Sequence, residues 1–176
     1  MFHNPVIPPN TGNAIRMSAI TGIALHLVEP LGFELTDARL RRAGLDYHDL
    51  SRVFVHSNFD TAVDFVTKHG TGNIYAFTGH ASTQFNTVEY LAGDTLLFGT
   101  EPTGLPDDVL NDGRLKDKVR IPMLPGVRSI NLSNSASIAT FEAWRQHDYA
   151  TPPATWLPHH PTSLAVQELG KSQPEA

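Results

Sequence analysis

The chain has no cysteine among its 176 residues, so it carries neither a disulfide framework nor a thiolate centre. No apolar run approaches the roughly 18 to 20 residues needed to span a bilayer. The first residues lack the charged start, apolar stretch and small-residue cleavage site of a secretory leader. These absences predict a cytoplasmic protein with no membrane partner. Basic residues are not in excess either: the net charge is −5. Nine histidines raise the question of metal, but none has the H-E-x-x-H or paired Cys/His spacing of a zinc site, and His159 and His160 sit in a proline-rich tail. No metal is expected. Ser129, Ser133 and Ser135 lack a G-x-S-x-G elbow, which argues against a serine hydrolase. Gly99 and Gly104 have the spacing of a phosphate-cradling loop, yet Leu105 and Pro106 stand where Lys and Ser/Thr are required. A triphosphatase is therefore excluded, and no G-x-G-x-x-G supports a dinucleotide site.

Hydrophobic residues make up 40 % of the chain, enough for one globular domain with a substantial core. Short apolar runs alternate with helical segments, which predicts an α/β fold with a mainly parallel sheet flanked by helices. Phe2 to Ile7 reads as the closing part of a first strand. Strands are expected over 23–28, 52–56, 73–78, 95–98 and 119–121. Asn10 or Thr11 is placed to cap a helix over 13–21 that Gly22 ends. A short basic helix is expected from Thr36 or Asp37 to Gly44. Ser57, with Asp60 in a capping-box role, begins another through Lys68. Pro106 opens a short helix to Leu110. The last helix, 134–148, would bury Ile138, Phe141 and Ala143/Trp144. After Tyr149 the chain turns polar and proline-rich, so 1–149 reads as the folded domain and 150–176 as an extended or disordered appendage.

Three polar loops stand out. Arg128 to Asn134 packs an arginine and four polar side chains into seven positions at a helix entry, where free backbone N–H groups grip polar ligands. Gly99 to Gly104 follows a strand at the usual ligand end of an open α/β sheet, and Gly99 would let a ligand approach the backbone. Asn10 to Arg16 is read locally as a capped helix start with one exposed arginine. Nine of the 13 basic residues lie in four places: Arg16; Arg39, Arg41 and Arg42; Arg114, Lys116, Lys118 and Arg120; and Arg128. A basic face on an acidic body is compatible with phosphate contacts, as is ordinary solvated charge.

Asn10-Thr-Gly-Asn-x-x-Arg16, Leu97-Phe-Gly-Thr-Glu-Pro-Thr-Gly-Leu-Pro106, Arg120-Ile-Pro-Met-x-Pro and Arg128-Ser-x-Asn-Leu-Ser-Asn134 together resemble the three motifs of the SPOUT methyltransferases. With Leu40-Arg-Arg-Ala-Gly-Leu-Asp-Tyr-His48 and Glu142-Ala-Trp-Arg-Gln146, they are most similar to the small tRNA (cytidine/uridine-34-2′-O)-methyltransferases, over about residues 1–149. The resemblance implies a C-terminal trefoil knot, an exception to the unknotted-chain rule. It implies a homodimer, S-adenosylmethionine as cofactor, and methyl transfer to the ribose 2′-OH of the wobble nucleotide in the tRNA anticodon stem-loop. Phe77, Gly99, Ile121 and Ser129 would line the cofactor site with support from Glu101. Arg16 would activate or orient the 2′-OH, Asn131 and Ser133 would shape the pocket, and Arg39, Arg41 and Arg42 would contact RNA phosphates. Three features depart from the pattern: the chain begins several residues late for this family, so the first strand is expected to be a stub; Thr-Glu-Pro-Thr stands where many relatives have Pro-Glu followed by an arginine; and Phe141 stands where some have tyrosine. The alternatives are the same reaction at another tRNA or rRNA site, and a knotted RNA-binding protein without catalysis.

Overall fold

A computed structural model describes residues 1–35, 50, 52–101 and 103–151. The expected basic helix, with Arg39, Arg41 and Arg42, and nearly all of the appendage lie outside these residues. Seven strands form one sheet: β1 (Phe2–His3), β2 (Leu25–Val28), β3 (Val53–His56), β4 (Ile74–Phe77), β5 (Thr83–Gln84), β6 (Thr95–Phe98) and β7 (Leu115–Arg120). Their order is β3-β2-β1-β6-β4-β7-β5, and every strand pair is parallel. Helices α1 (Pro8–Thr21), α2 (Phe59–His69), α3 (Asp107–Leu110) and α4 (Leu132–Arg145) cover both faces. A parallel sheet needs such cover, and its central strands are correspondingly apolar.

The core divides by face. On one, Phe2, Leu25, Leu27 and Phe98 pack with Ala14 and Ile15 of α1 and Leu132, Ala136 and Ala139 of α4. On the other, Val28, Ile74, Ala76 and Leu97 meet Ala62, Val63 and Val66 of α2 and Val109 of α3. At the far edge of α2, His26 and His56 face each other from β2 and β3, with Nδ1 of the first 2.9 Å from Nε2 of the second. Their rings stack with Phe54 and Phe65 around them.

Several expectations change. Pro8 and Pro9 begin α1 themselves; their fixed φ and missing N–H suit the first turn, so no side-chain cap is made. Asn10 and Thr11 are therefore buried within the helix, not capping it. Gly22 does end it, in the left-handed region, with its N–H on Ser18 O at 2.9 Å. In α2 the cap is Asn58, not Ser57, and Thr61 completes the capping box in place of Asp60. Pro106 precedes α3 as its cap residue. In α4 the buried stripe is Leu132, Ser133, Ala136, Ala139 and Thr140, while Ile138 and Phe141 are exposed. Small residues win that face because α4 lies close against α1. β1 ends at His3 and β7 begins four residues earlier than expected, at Leu115 against 119, through the polar Lys116-Asp117-Lys118. β5 and the 3-10 turn Phe85–Thr87 carry no apolar run and were not foreseen.

Candidate active site

The strand order reverses direction around β1 and β6, and crevices at such points, beyond the carboxyl ends of the strands, are where open α/β sheets hold ligands. The loop after β6 is shaped there by two glycines. A Cβ on Gly99 would lie 2.1 Å from the carbonyl carbon of Gly104, so main chain occupies the side that the sequence suggested for a ligand. Gly104 has φ +79, which favours glycine. Thr100 N–H donates to Gly104 O at 3.2 Å and Gly104 N–H to Thr100 O at 2.8 Å, which closes the loop and presents Glu101.

Glu101 accepts from two other segments. Val6 N–H, just after β1, donates to Oε2 at 3.0 Å, and Asn10 Nδ2 donates to Oε1 at 2.6 Å. An ionised carboxylate only accepts, so it fixes which way the Asn10 amide faces. The Asn10 Oδ1 then accepts from Asn131 Nδ2 at 2.6 Å. Asn131 in turn must present its own oxygen to α4, where it accepts from Ser133 Oγ at 2.7 Å and from Asn134 N at 3.1 Å. One charge thereby orients a chain of amides that joins the three polar loops and ends on the α4 N-terminus. Asn131 caps that helix.

Glu101, Asn131 and Ser133 are thus brought together as a set. Asn10, absent from the candidate residues, is their central link; two prolines already starting the helix were the signal that it was not needed as a cap. Arg16 lies exposed on α1. Phe77 and Phe98 close the adjacent β4 and β6, in register and stacked at 4.5 Å. Gly99 follows Phe98, and Ile121 follows β7, the other neighbour of β4. Phe77, Gly99 and Ile121 therefore share one end of three adjacent strands. Ser129 is exposed in the segment between β7 and α4.

Buried polar atoms are almost always paired. Four among the described residues are not, and three of them belong to this end of the sheet: His3 Nδ1, Thr11 Oγ1 and Arg120 Nε. Burial lowers the His3 pKa, partly opposed by the charge of Asp108. Phe77 and Ile121 at the ends of adjacent strands, with the unpaired Arg120 Nε next to Ile121 in the chain, suit a ligand that combines a flat ring with polar and charged groups. A nucleoside cofactor such as S-adenosylmethionine has that chemistry, and the residues present fit it.

Comparison with known proteins agrees with this reading. The model of the SpoU rRNA Methylase family matches residues 1–141. A tRNA (cytidine(34)-2′-O)-methyltransferase of Methylovorus glucosotrophus is 45 % identical over 150 residues, covering 85 % of this chain and 96 % of its own. A structure solved for insight into 2′-OH methylation of C/U34 on tRNA superposes with a TM-score of 0.74 at 36 % identity, covering 85 % of this chain and 95 % of its own. The SpoU methyltransferase AviRb from Streptomyces viridochromogenes, in complex with AdoMet, shares the fold at 22 % identity with a TM-score of 0.70, over 85 % of this chain and 60 % of its own. With the family model spanning most of its length and its motif loops converging on one network, the chain belongs to the SpoU methylase family.

Proposed function

We propose that the protein transfers a methyl group from S-adenosylmethionine to the ribose 2′-OH of nucleotide 34, the wobble position, of tRNA. The observation that carries this is the Glu101–Asn10–Asn131–Ser133 chain, which joins the three motif loops at the carboxyl end of the sheet. The name of the Methylovorus relative supports the same position on tRNA. Bound S-adenosylmethionine supplies a methyl group on a sulfonium, whose positive charge is lost on transfer. The protein's work is therefore alignment and the removal of one proton, not the stabilisation of new charge.

Phe77, Gly99, Ile121 and Ser129 would hold the cofactor, with Arg120 Nε as a further donor. Gly99 serves through the loop geometry it permits. Glu101 acts through Asn10 on Asn131 and Ser133, which shape the pocket. Arg16 orients the ribose hydroxyl or an adjacent phosphate, since arginine holds its proton too firmly to act as a base. Arg39, Arg41 and Arg42 contact anticodon-stem phosphates. Residues 1–149 form the catalytic unit, knotted near its C-terminus and working as a homodimer in the cytoplasm; the exposed Phe141 and Ile138 on α4 suit such a subunit contact. Nucleoside mass spectrometry of tRNA from a strain lacking the gene is expected to show loss of 2′-O-methylation at position 34. Unchanged methylation there would favour the second reading, the same reaction at another RNA site, for which the family description speaks. If titration finds no affinity for S-adenosylmethionine, both readings fall.

A further inference from the structure

The run Glu142 to Gln146, at the end of α4, takes no part in the amide chain of the site, yet its polar side chains form a chain of their own. Arg145 grips Glu142 with two donors, Nε to Oε2 and Nη2 to Oε1, each at 2.9 Å. Gln146, the residue that ends the helix, donates from Nε2 to Glu142 Oε1 at 2.9 Å. The Arg145 guanidinium first, and then the Gln146 amide, hold the Glu142 pKa down at about 2, so this carboxylate stays ionised. An ionised carboxylate only accepts, which fixes the sense of the Gln146 amide. That amide then meets the main chain of another segment. Nε2 donates to Val88 O at 2.9 Å, and Oε1 accepts from Tyr90 N–H at 2.9 Å. The carbonyl of one residue and the N–H two residues on are what a parallel neighbour engages in a sheet. Gln146 therefore does with one side chain what a strand residue does with its backbone.

The segment held in this way, 85–90, belongs to the connection from β4 to β6. Its sheet pairing is confined to the two residues of β5, at the edge beside β7. Tyr90 carries the hold back along it: the ring is buried against Tyr75 at 5.2 Å, and the hydroxyl donates to Phe85 O at 2.9 Å. The Phe85 ring lies 6.5 Å from that of Phe77. β5, directly before Phe85, is in register with Val119 and Arg120, which precede Ile121. The segment thus stands against Phe77 and beside the strand end that carries Ile121.

Resting on the methyl-transfer reading above, we infer that Gln146 is a positioning residue for the cofactor. It latches residues 85–90 onto the end of α4 and, through Tyr90 and Phe85, sets Phe77 as a wall of the S-adenosylmethionine site. A wall left loose has to be ordered when the ligand arrives, and that cost is taken from affinity. The effect therefore falls on cofactor binding.

Gln146→Met keeps the length and bulk of the side chain and removes its hydrogen bonds. Tyr90→Phe keeps the latch and the buried ring and frees only the Phe85 carbonyl. The full-length chain and both variants are titrated with S-adenosylmethionine well below their melting temperatures. Each variant is expected to raise Kd about tenfold, the scale of one lost hydrogen bond. KM for the cofactor should rise in step, with a smaller effect on kcat. An unchanged Kd in either variant overturns the inference whatever happens to Tm, since a mere brace of the fold lowers Tm alone. A fall in kcat with KM unchanged overturns it as well. If Gln146→Met does not fold, Tyr90→Phe decides. Should the unaltered chain show no affinity for S-adenosylmethionine, the methyl-transfer reading itself falls and the inference with it.

Discussion

Asn10 has an amide that reads the charge of one neighbour and passes its orientation to the next. In Glu101→Gln the acceptor becomes an amide that can present either face, so Asn10 and Asn131 lose their fixed sense. Methyl transfer is expected to fall roughly 100-fold, the scale of a misaligned reacting group, with cofactor affinity nearly unchanged. A parallel fall in cofactor affinity would place Glu101 on the cofactor instead. Asn10→Asp sets a second carboxylate against Glu101, and like charges at that separation cannot both ionise cheaply. Its urea midpoint should drop further than that of Glu101→Gln. The buried histidines make a separate residue-scale prediction. Burial first, and then the Met1 ammonium, lower the pKa of His56 to about 4 and that of His26 well below the usual 6.5. Above pH 6.5 both folded and unfolded chains are neutral at these rings. Below it the unfolded chain takes up protons that the fold refuses, so stability is lost from pH 6.5 down towards 4. Urea midpoints at pH 7 and pH 5 should show the decline, and His56→Gln should make it shallower. An unchanged slope would remove these rings from the acid response.

At the scale of elements, two asparagine caps separate structure from function. Asn58→Ala and Asn131→Ala each remove a side-chain acceptor from a helix start, at about 1 kcal/mol. Only Asn131→Ala should also abolish methyl transfer, because only Asn131 carries the amide chain onward; equal activities would confine it to capping. Gly99→Ala pushes a methyl into the Gly104–Leu105 main chain and should cost about 3 kcal/mol, read as loss of soluble protein or a large fall in Tm. What was legible in the sequence divides along the same physical line. β2, β4 and β6 were visible because central parallel strands are continuous apolar runs. The first four residues of β7 were not, because Lys116, Asp117 and Lys118 are exposed and leave no run to see. The α4 stripe was misread because large side chains signal burial in a sequence, while a close helix pair selects alanine. The site loops were legible through glycine and polar density. Asn10 as their link was not, since a capping asparagine and a relaying one look alike until a helix start is fixed.

For the molecule as a whole, RNA affinity is set by the local face and not by the net charge. Arg41→Ala with Arg42→Ala should weaken tRNA binding and flatten its dependence on salt; an unaltered salt slope would return both to ordinary surface. The motif resemblance carried the family and the reaction, whereas the crossing order of the strands was beyond periodicity, which records no partner. That order has a consequence for how the molecule comes into being. Phe2, near the start of the chain, pairs with Phe98 in the middle of the finished sheet. At about 5 to 20 residues per second on the ribosome, the segment holding Phe2 emerges and then waits for seconds before β6 exists to receive it. Its other neighbour, β2, arrives much sooner. The nascent chain should therefore carry a β1–β2–β3 layer with one raw edge, apolar and unpaired, until synthesis supplies the strand that covers it.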